Sequence, residues 1–488
     1  MSHRYPNSDD AVAAILRAGT DVNCGAFMQT MAPGALARGA ITEADLDTVL
    51  RRQFRLRLRL GHFDPPSPLD SIGMDQVCTP YSLELARDAG RQSAVLVKNA
   101  GNILPLSAPA FPAALLIGPL VELKGPIRYY GSFPCNASFV TPLLALQAHL
   151  PAAAGLLGVA NVSTGDTSGI PVAAAAAAAA DLVLLAIGSD LSLEMEGLDR
   201  AVISFSPAQL ALVDAVAAAA RGPVVALVFS GGAMDVSPLL AHPGVAAVVV
   251  CGQPSVGVAG TLDAVFGRTP PGASGGGAPV APAGRMSQTT YPADFVNQVS
   301  MWDFGMRPGP SAWPPGTNPG RTYRFYTGTP VLPFGFGLSY TTWTYTPLPD
   351  PAPPAPFMAA VEAAARAQEA TGVVGHIPAS LQATAAQFWV NVTNTGTVDS
   401  DDVVLGFLVP PGAGANGVPL QELFGFERVF VPAGQTVTVY LGAQGVRFTQ
   451  AGEDGVRRAL GGEYKVRFGV AETAAGGMGF AELPLLVQ

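Results

Sequence analysis

The chain has 488 residues, 49% of them hydrophobic and 13% charged, with a net charge of −9. That length holds two or three domains, and the apolar content is far too high for a disordered chain. An acidic chain with no block of Lys and Arg lacks the basic footprint that phosphate binding needs, which argues against nucleic acid as a partner.

No charge-free apolar run reaches the ~18 residues of a membrane span, because the most apolar stretch, Val172 to Gly188, is interrupted by Asp181. Cys24, Cys78, Cys135 and Cys251 form neither a disulfide framework nor a CxxC metal site. No pair among the five histidines has ligand spacing, so no metal or other cofactor is expected. Glycosylation sequons at Asn136, Asn161 and Asn391 matter only in a secreted protein. The opening residues MSHRYPNSDD have no apolar core, so no signal peptide is expected in the chain.

In chain order, the first elements read as helices. Ser8 to Ala18 has apolar residues at helical spacing. A second helix begins at Thr42, which with Asp45 forms a capping box, runs through the arginine-rich 51–60 and ends at Gly61. The arginines read as its solvated side. From Ser93 the rhythm changes to short apolar runs at Ala114 to Gly118, Leu182 to Gly188, Pro223 to Gly231 and Val245 to Gly252. Between them lie helical stretches, including the alanine tract 173–180 and Ser206 to Arg221, where Ser206 is the N-cap, Pro207 opens the helix and Gln209 completes a capping box. Alternating strands and helices predict a parallel sheet covered on both faces, with ligands at the carboxyl ends of its strands. Residues 267–286 and 308–320 read as loops, and Pro347 to Pro356 as a linker. The runs Phe388–Val392, Val403–Val409, Phe426–Val431, Thr436–Tyr440 and Tyr464–Val470 then predict a small β-sandwich.

One place concentrates charge. After the run Leu182 to Gly188 come Asp190, Glu194, Glu196, Asp199 and Arg200, four carboxylates and a guanidinium within eleven residues. A solvated surface loop explains such a cluster as well as a site does. Asp235 is a weaker candidate that a helix N-cap accounts for. Gly231-Gly232 lacks the spacing and the lysine of a phosphate loop, and no GxSxG elbow marks a serine hydrolase. Lys98 reads as a strand-end residue with a pairing partner, and His3 and His62 as lone structural or exposed histidines.

With these residues the chain resembles glycoside hydrolase family 3, particularly its β-xylosidase and α-L-arabinofuranosidase branch of plants and fungi. The motifs, in order, are AGTDVNCG (18–25), RLRLRLGHFDPP (55–66), ARDAGRQSAVLVKNAGNILPL (86–106), IGSDLSLEMEGLDR (187–200), MRPG (306–309) and GRTYRFYTGTPVLPFGFGLSYT (320–341). One departure is Phe336, where the family usually has histidine. The resemblance implies an α/β plus β chain in five parts. These are a barrel remnant over 1–64, a linker over 65–92, an α/β sandwich domain with a mostly parallel sheet over 93–346, a Pro/Ala-rich linker over 347–380, and a fibronectin type III-like β-sandwich over 381–488.

It also implies hydrolysis of terminal sugars from the non-reducing end with retention of configuration. Retention uses two carboxyl groups ~5–5.5 Å apart. Glu194 matches the acid/base, Glu196 is its fallback, and Asp199 and Arg200 would orient the loop. The family's nucleophile is an aspartate upstream of the segment matching 1–25, so none is expected in this chain. Ser8-Asp9-Asp10 imitates that motif but precedes a helix the family places later. The expected function is therefore that of an extracellular or cell-wall β-xylosidase acting on xylan or arabinoxylan fragments, inactive as the 488-residue chain. The alternatives are a non-catalytic carbohydrate-binding or scaffold protein descended from such an enzyme, and an α/β protein binding a small ligand at its strand ends.

Overall fold

The computed structural model describes residues 7–123, 140–269, 279–349, 384–452, 456–470 and 479–487, with a few residues between 359 and 382. Two units emerge, Met1–Thr79 and Pro80–Gln488.

In the first unit, α1 (Ser8–Arg17), α2 (Phe27–Ala37) and α3 (Glu43–Arg59) enclose a small core of Val12, Ala13, Leu16, Ala35 and Ile41. Both halves of the Thr42–Asp45 capping box form, and Gly61 follows the end of α3 with φ +73°. The side chain of Asn7 accepts the N–H groups of Asp9 and Asp10 and so starts α1. Asp9, in the stretch that imitates a nucleophile motif, is buried and ion-paired with Arg38, which gives it a structural role. No residue of α3 is buried, and Leu50, Phe54, Leu56 and Leu58 are exposed along with the arginines.

The second unit opens with α4 (Pro80–Ser93), a helix inside the stretch expected to be a linker. Six strands then form one sheet: β1 (Val95–Asn99), β2 (Ala114–Ile117), β3 (Ala154–Leu156), β4 (Leu182–Gly188), β5 (Val224–Phe229) and β6 (Ala247–Gly252). Their order is β1-β6-β5-β4-β2-β3. All neighbours are parallel except β1, which runs antiparallel to β6 at the edge. Continuous apolar strands arise because both faces are covered. On β4, Leu182, Leu184 and Ala186 enter one core, while Val183, Leu185 and Ile187 enter the other.

The first core is closed by α4, α5 (Pro142–His149) and α9 (Val258–Phe266). The second is closed by α6 (Ile170–Ala179), α7 (Pro207–Ala219) and α8 (Ser237–Ala241). Phe336 is fully buried in the second core with Leu332 and Met286. A phenyl ring leaves no polar atom to satisfy there, so its departure from histidine carries no desolvation cost.

The remaining strands form two antiparallel sheets over one shared core. One has β7 (Trp343–Pro347), β8 (Thr384–Asn394) and β11 (Thr436–Gln444). The other has β9 (Ser400–Val409), β10 (Glu422–Val431), β12 (Gly462–Gly469) and β13 (Phe480–Val487). Phe388, Val390, Phe424, Tyr464, Val466 and Phe468 fill the space between them. β7 lies ahead of the proline-rich stretch yet pairs with β8, so Trp343–Pro347 belongs to these sheets rather than to the α/β part. The linker expected over 347–380 lies mostly outside the described residues. Arg285 donates to the carbonyl of Gly337 and to Asp402, and Tyr345 donates to the other carboxylate oxygen of Asp402. This buried triad ties the α/β part to the β-rich part.

Candidate active site

The sheet topology singles out one edge position. After β2 the chain moves outward to β3 and then returns to the other side of β2 as β4. Connections diverge there, and open α/β sheets gather ligands at the carboxyl ends of strands flanking such a point. Residues 124–139 of the segment after β2 fall outside the described residues, while the segment after β4 is the charged loop.

Gly188 ends β4 with φ +137°, and a Cβ there would stand 1.9 Å from the carbonyl oxygen of Phe229 on β5. The buried side chain of Gln209 clasps this strand end. Its Oε1 accepts the Gly188 N–H at 2.8 Å, and its Nε2 donates to the carbonyls of Gly188 at 3.0 Å and Val162 at 2.9 Å. Ser206 does cap α7 through the Gln209 N–H. The amide of Gln209, however, goes to the strand rather than back to the cap as the capping-box reading expected. Replacing Gln209 with leucine is expected to leave three backbone groups unpaired. The loss is about 3 kcal/mol, measurable as a lower urea midpoint with an unchanged slope.

The loop itself is tightly built. Asp190 accepts the N–H and hydroxyl of Ser192, and its carbonyl accepts the N–H groups of Leu193 and Glu194. Met195 and Leu198 exchange backbone hydrogen bonds across a turn in which Gly197 has φ +79°.

Glu194 points back into the protein. Its Oε1 accepts from the Ser189 hydroxyl and from the Gly231 N–H at 2.6 Å. Its Oε2 accepts from the Gly232 N–H at 3.2 Å and pairs with Arg200 Nε at 2.8 Å. The Arg200 side chain also donates to the carbonyl of Ala233 at 2.9 Å. Two successive backbone N–H groups form an anion-binding nest, and here the anion is the protein's own carboxylate. A Cβ at position 232 would lie 2.5 Å from Arg200 Nη2 and 3.4 Å from Glu194 Oε2, so a side chain there would displace the Arg200 head group from the clasp.

The structure thus brings Glu194 and Arg200 together and leaves Glu196 and Asp199 exposed further along the loop. Asp199 takes no part in this clasp among the described residues. The contacts that hold Glu194 come from Arg200, Ser189 and the Gly231-Gly232 pair. Sequence reasoning passed over Ser189, gave Gln209 only a capping role, and weighed the two glycines only as a phosphate loop. The available signal was a glycine pair directly after the carboxyl end of a buried strand.

Other candidates resolve into structure. Lys98 donates to the carbonyl of His242 at 2.8 Å, and burial lowers its pKa. Asp235 accepts the Ser237 N–H at 2.8 Å and the Ala293 N–H at 2.7 Å, but the N-cap of α8 is Val236, so Asp235 precedes the cap instead of filling it as expected. His62 is exposed and packs edge-on against Phe63. Cys24 and Cys251 are free and Cys78 is disulfide-bonded. His3, Cys135 and Asn136 lie outside the described residues. No helix among the described residues is long and apolar enough to cross a membrane.

A doubly covered, mostly parallel sheet with a glutamate-bearing loop at its switch point is the setting in which known proteins become informative. The glycosyl hydrolase family 3 C-terminal domain matches residues 94–340. The chain belongs to glycosyl hydrolase family 3. It is 33% identical over 482 residues to beta-D-xylosidase 1 of Arabidopsis thaliana, a match covering 96% of this chain and 59% of that protein. It is 35% identical over 469 residues to an exo-1,4-beta-xylosidase of Emericella nidulans, covering 95% and 56% respectively. Among solved structures it is similar to a family 3 exo-beta-xylosidase in complex with a xylobiose aziridine probe. That similarity has a TM-score of 0.80 and 26% identity, and covers 99% of this chain and 59% of the other. The chain therefore spans a little over half the length of these relatives.

Proposed function

We propose that this chain carries the acid/base half of a retaining glycoside hydrolase of β-xylosidase type, acting on terminal xylose or arabinose of xylan or arabinoxylan fragments. The observation that carries the reading is the clasp on Glu194. Four donors converge on its two oxygens, so the side chain is tied back into the protein and anchors the loop. In this reading Glu196, two residues further and exposed to solvent, is the acid/base, and Glu194 is a positioning residue. This reverses the order in which sequence reasoning ranked them. In the proposed mechanism Glu196 protonates the departing glycosidic oxygen while an aspartate attacks the anomeric carbon. As a carboxylate it then takes a proton from the water that releases the sugar.

The wider reading has independent support. The apolar side chains exposed on α3 suit helices of a β/α barrel, and seven antiparallel strands in two sheets suit a fibronectin type III-like domain. A disulfide at Cys78 fits an oxidising compartment, and Asn161 is exposed for glycosylation, in keeping with a secreted glycoprotein.

The test is Glu194→Gln and Glu196→Gln in the gene product as its source expresses it, with substrates differing in leaving-group acidity. Loss of the acid slows xylobiose hydrolysis ~10²–10⁴-fold and affects dinitrophenyl xyloside much less, because that leaving group needs no proton. Glu196→Gln is expected to show this split, and Glu194→Gln to slow both substrates alike. The opposite pattern returns the acid role to Glu194. Absence of turnover in the wild type on any β-glycoside sinks the hydrolase reading.

A further inference from the structure

In a chain of net charge −9, one seam of the second unit gathers cations. Glu422 opens β10, and a single oxygen of its carboxylate, Oε1, takes both Arg447 Nη1 at 3.0 Å and Arg324 Nη2 at 3.4 Å. A third guanidinium, that of Arg457, donates to the hydroxyl of Thr449 at 3.1 Å and pairs with no carboxylate among the described residues. It stands on a short ribbon in which Arg457–Ala459 pairs with Thr449–Ala451. Arg307 reaches the same ribbon by donating at 3.3 Å to the carbonyl of Ala451, the register partner of Arg457. Arg307 and Arg324 also lie over the ring of Phe325, 5.3 and 5.1 Å from its centroid.

Three guanidinium groups around one carboxylate leave two positive charges unmatched. The side chains of Arg324 and Arg447 are 36% and 34% exposed, so their head groups meet solvent. Yet the Nε of each is buried without a protein partner. Buried donors are nearly always hydrogen-bonded, and each exception needs an explanation. Burial lowers the pKa of Arg457, and the charges of Arg324 and Arg447 lower it further against the opposing pull of Glu422. All three groups still stay protonated near neutrality, and like charges gathered this closely repel unless an anion joins them.

We propose that this arginine seam binds a phosphate group, as the free ion or as a monoester. Guanidinium forks present paired N–H donors to phosphate oxygens, and above its second pKa of ~6 a phosphate group brings the charge that Glu422 leaves unmatched. Glu422 holds part of the same arginine surface and so competes with the ligand. The site is independent of the hydrolase reading, since none of these residues belongs to the loop carrying Glu194 and Glu196.

The experiment is isothermal titration of the full 488-residue chain near neutral pH with inorganic phosphate and with glycerol phosphate, ionic strength being held constant with sodium chloride. Saturable binding is expected, weakened ~10-fold or more in Arg457→Gln through loss of a charge-assisted donor. That variant leaves both Glu422 ion pairs in place, and melting curves confirm that it folds. Glu422→Gln is expected to tighten binding several-fold by removing the competing anion. Arg51→Gln, on the exposed side of α3, is expected to change nothing. Phosphate binding at least as tightly as the ester assigns the site to the free ion, and tighter binding of the ester assigns it to a monoester. The inference is overturned if neither ligand binds saturably, if Arg457→Gln leaves the affinity unchanged, if Glu422→Gln fails to tighten it, or if Arg51→Gln weakens it as much as Arg457→Gln does.

Discussion

Replacing Asp263 with asparagine is expected to destabilise the second unit by about 3–5 kcal/mol, the cost of leaving buried charges without their partner. Asp263 is fully buried on α9. Arg87 meets it with both Nε and Nη2 at 2.7 Å, Arg91 Nε lies at 2.8 Å, and His149 Nε2 at 3.1 Å. These partners sit on α4 and α5, so one carboxylate joins the three helices that close one face of the sheet. Chemical denaturation of the variant is the measurement, and a loss below about 1 kcal/mol would mean that the arginines find other partners or water.

The pH dependence follows from the same contacts. Burial by itself would raise the Asp263 pKa, but hydrogen bonds from Arg87, His149 and Arg91 outweigh it and hold the pKa below the ordinary carboxyl value. A depressed folded-state pKa contributes stability that is present above the unfolded value, ~3.9, and is lost as pH falls through the folded value. The gap between wild type and Asp263→Asn is therefore widest near neutrality and closes in acid.

Gly188→Ala is the second large effect. At φ +137° an L side chain is strained, and its Cβ would stand 1.9 Å from the Phe229 oxygen, which also accepts the Ser189 N–H at 2.8 Å. Backbone must move on β4 or β5, both fully buried. Strain and overpacking together are expected to cost about 3–5 kcal/mol. Gly197→Ala is the control. Its φ is +79° but no atom lies within 4 Å of the added Cβ, so only about 1 kcal/mol of backbone strain is expected. Equal losses in the two variants, read from urea unfolding, would show that φ and not contact dominates at Gly188.

Much of the fold is local and was therefore legible. Leu182 to Gly188 reads as a core strand because every residue in it is apolar or glycine. Ser206-Pro207 and Thr42 read as helix starts because a cap and its partner lie within three residues. β1 and β3 were not read as members of the sheet. Ala154–Leu156 has three residues and little β propensity. β1 carries Lys98, whose ammonium finds its acceptor only where residue 242 folds back beside it.

The candidate site divides along the same line. Composition alone located the charged loop, because carboxylates are scarce in the chain and four of them follow one strand. That Glu194 is anchored depends on Gly231 and Gly232, 37 and 38 residues away from it. Gln209 looked like half of a capping box, and its amide instead serves a strand end 21 residues earlier. Asp263 finds Arg87 across 176 residues. Sequence alone determined most of the elements, the family and the charged loop, since these rest on periodicity, caps and motifs within one or two turns of chain. Tertiary structure decided the roles of individual polar groups, because a buried carboxylate or amide is defined by the donors and acceptors that distant segments bring to it.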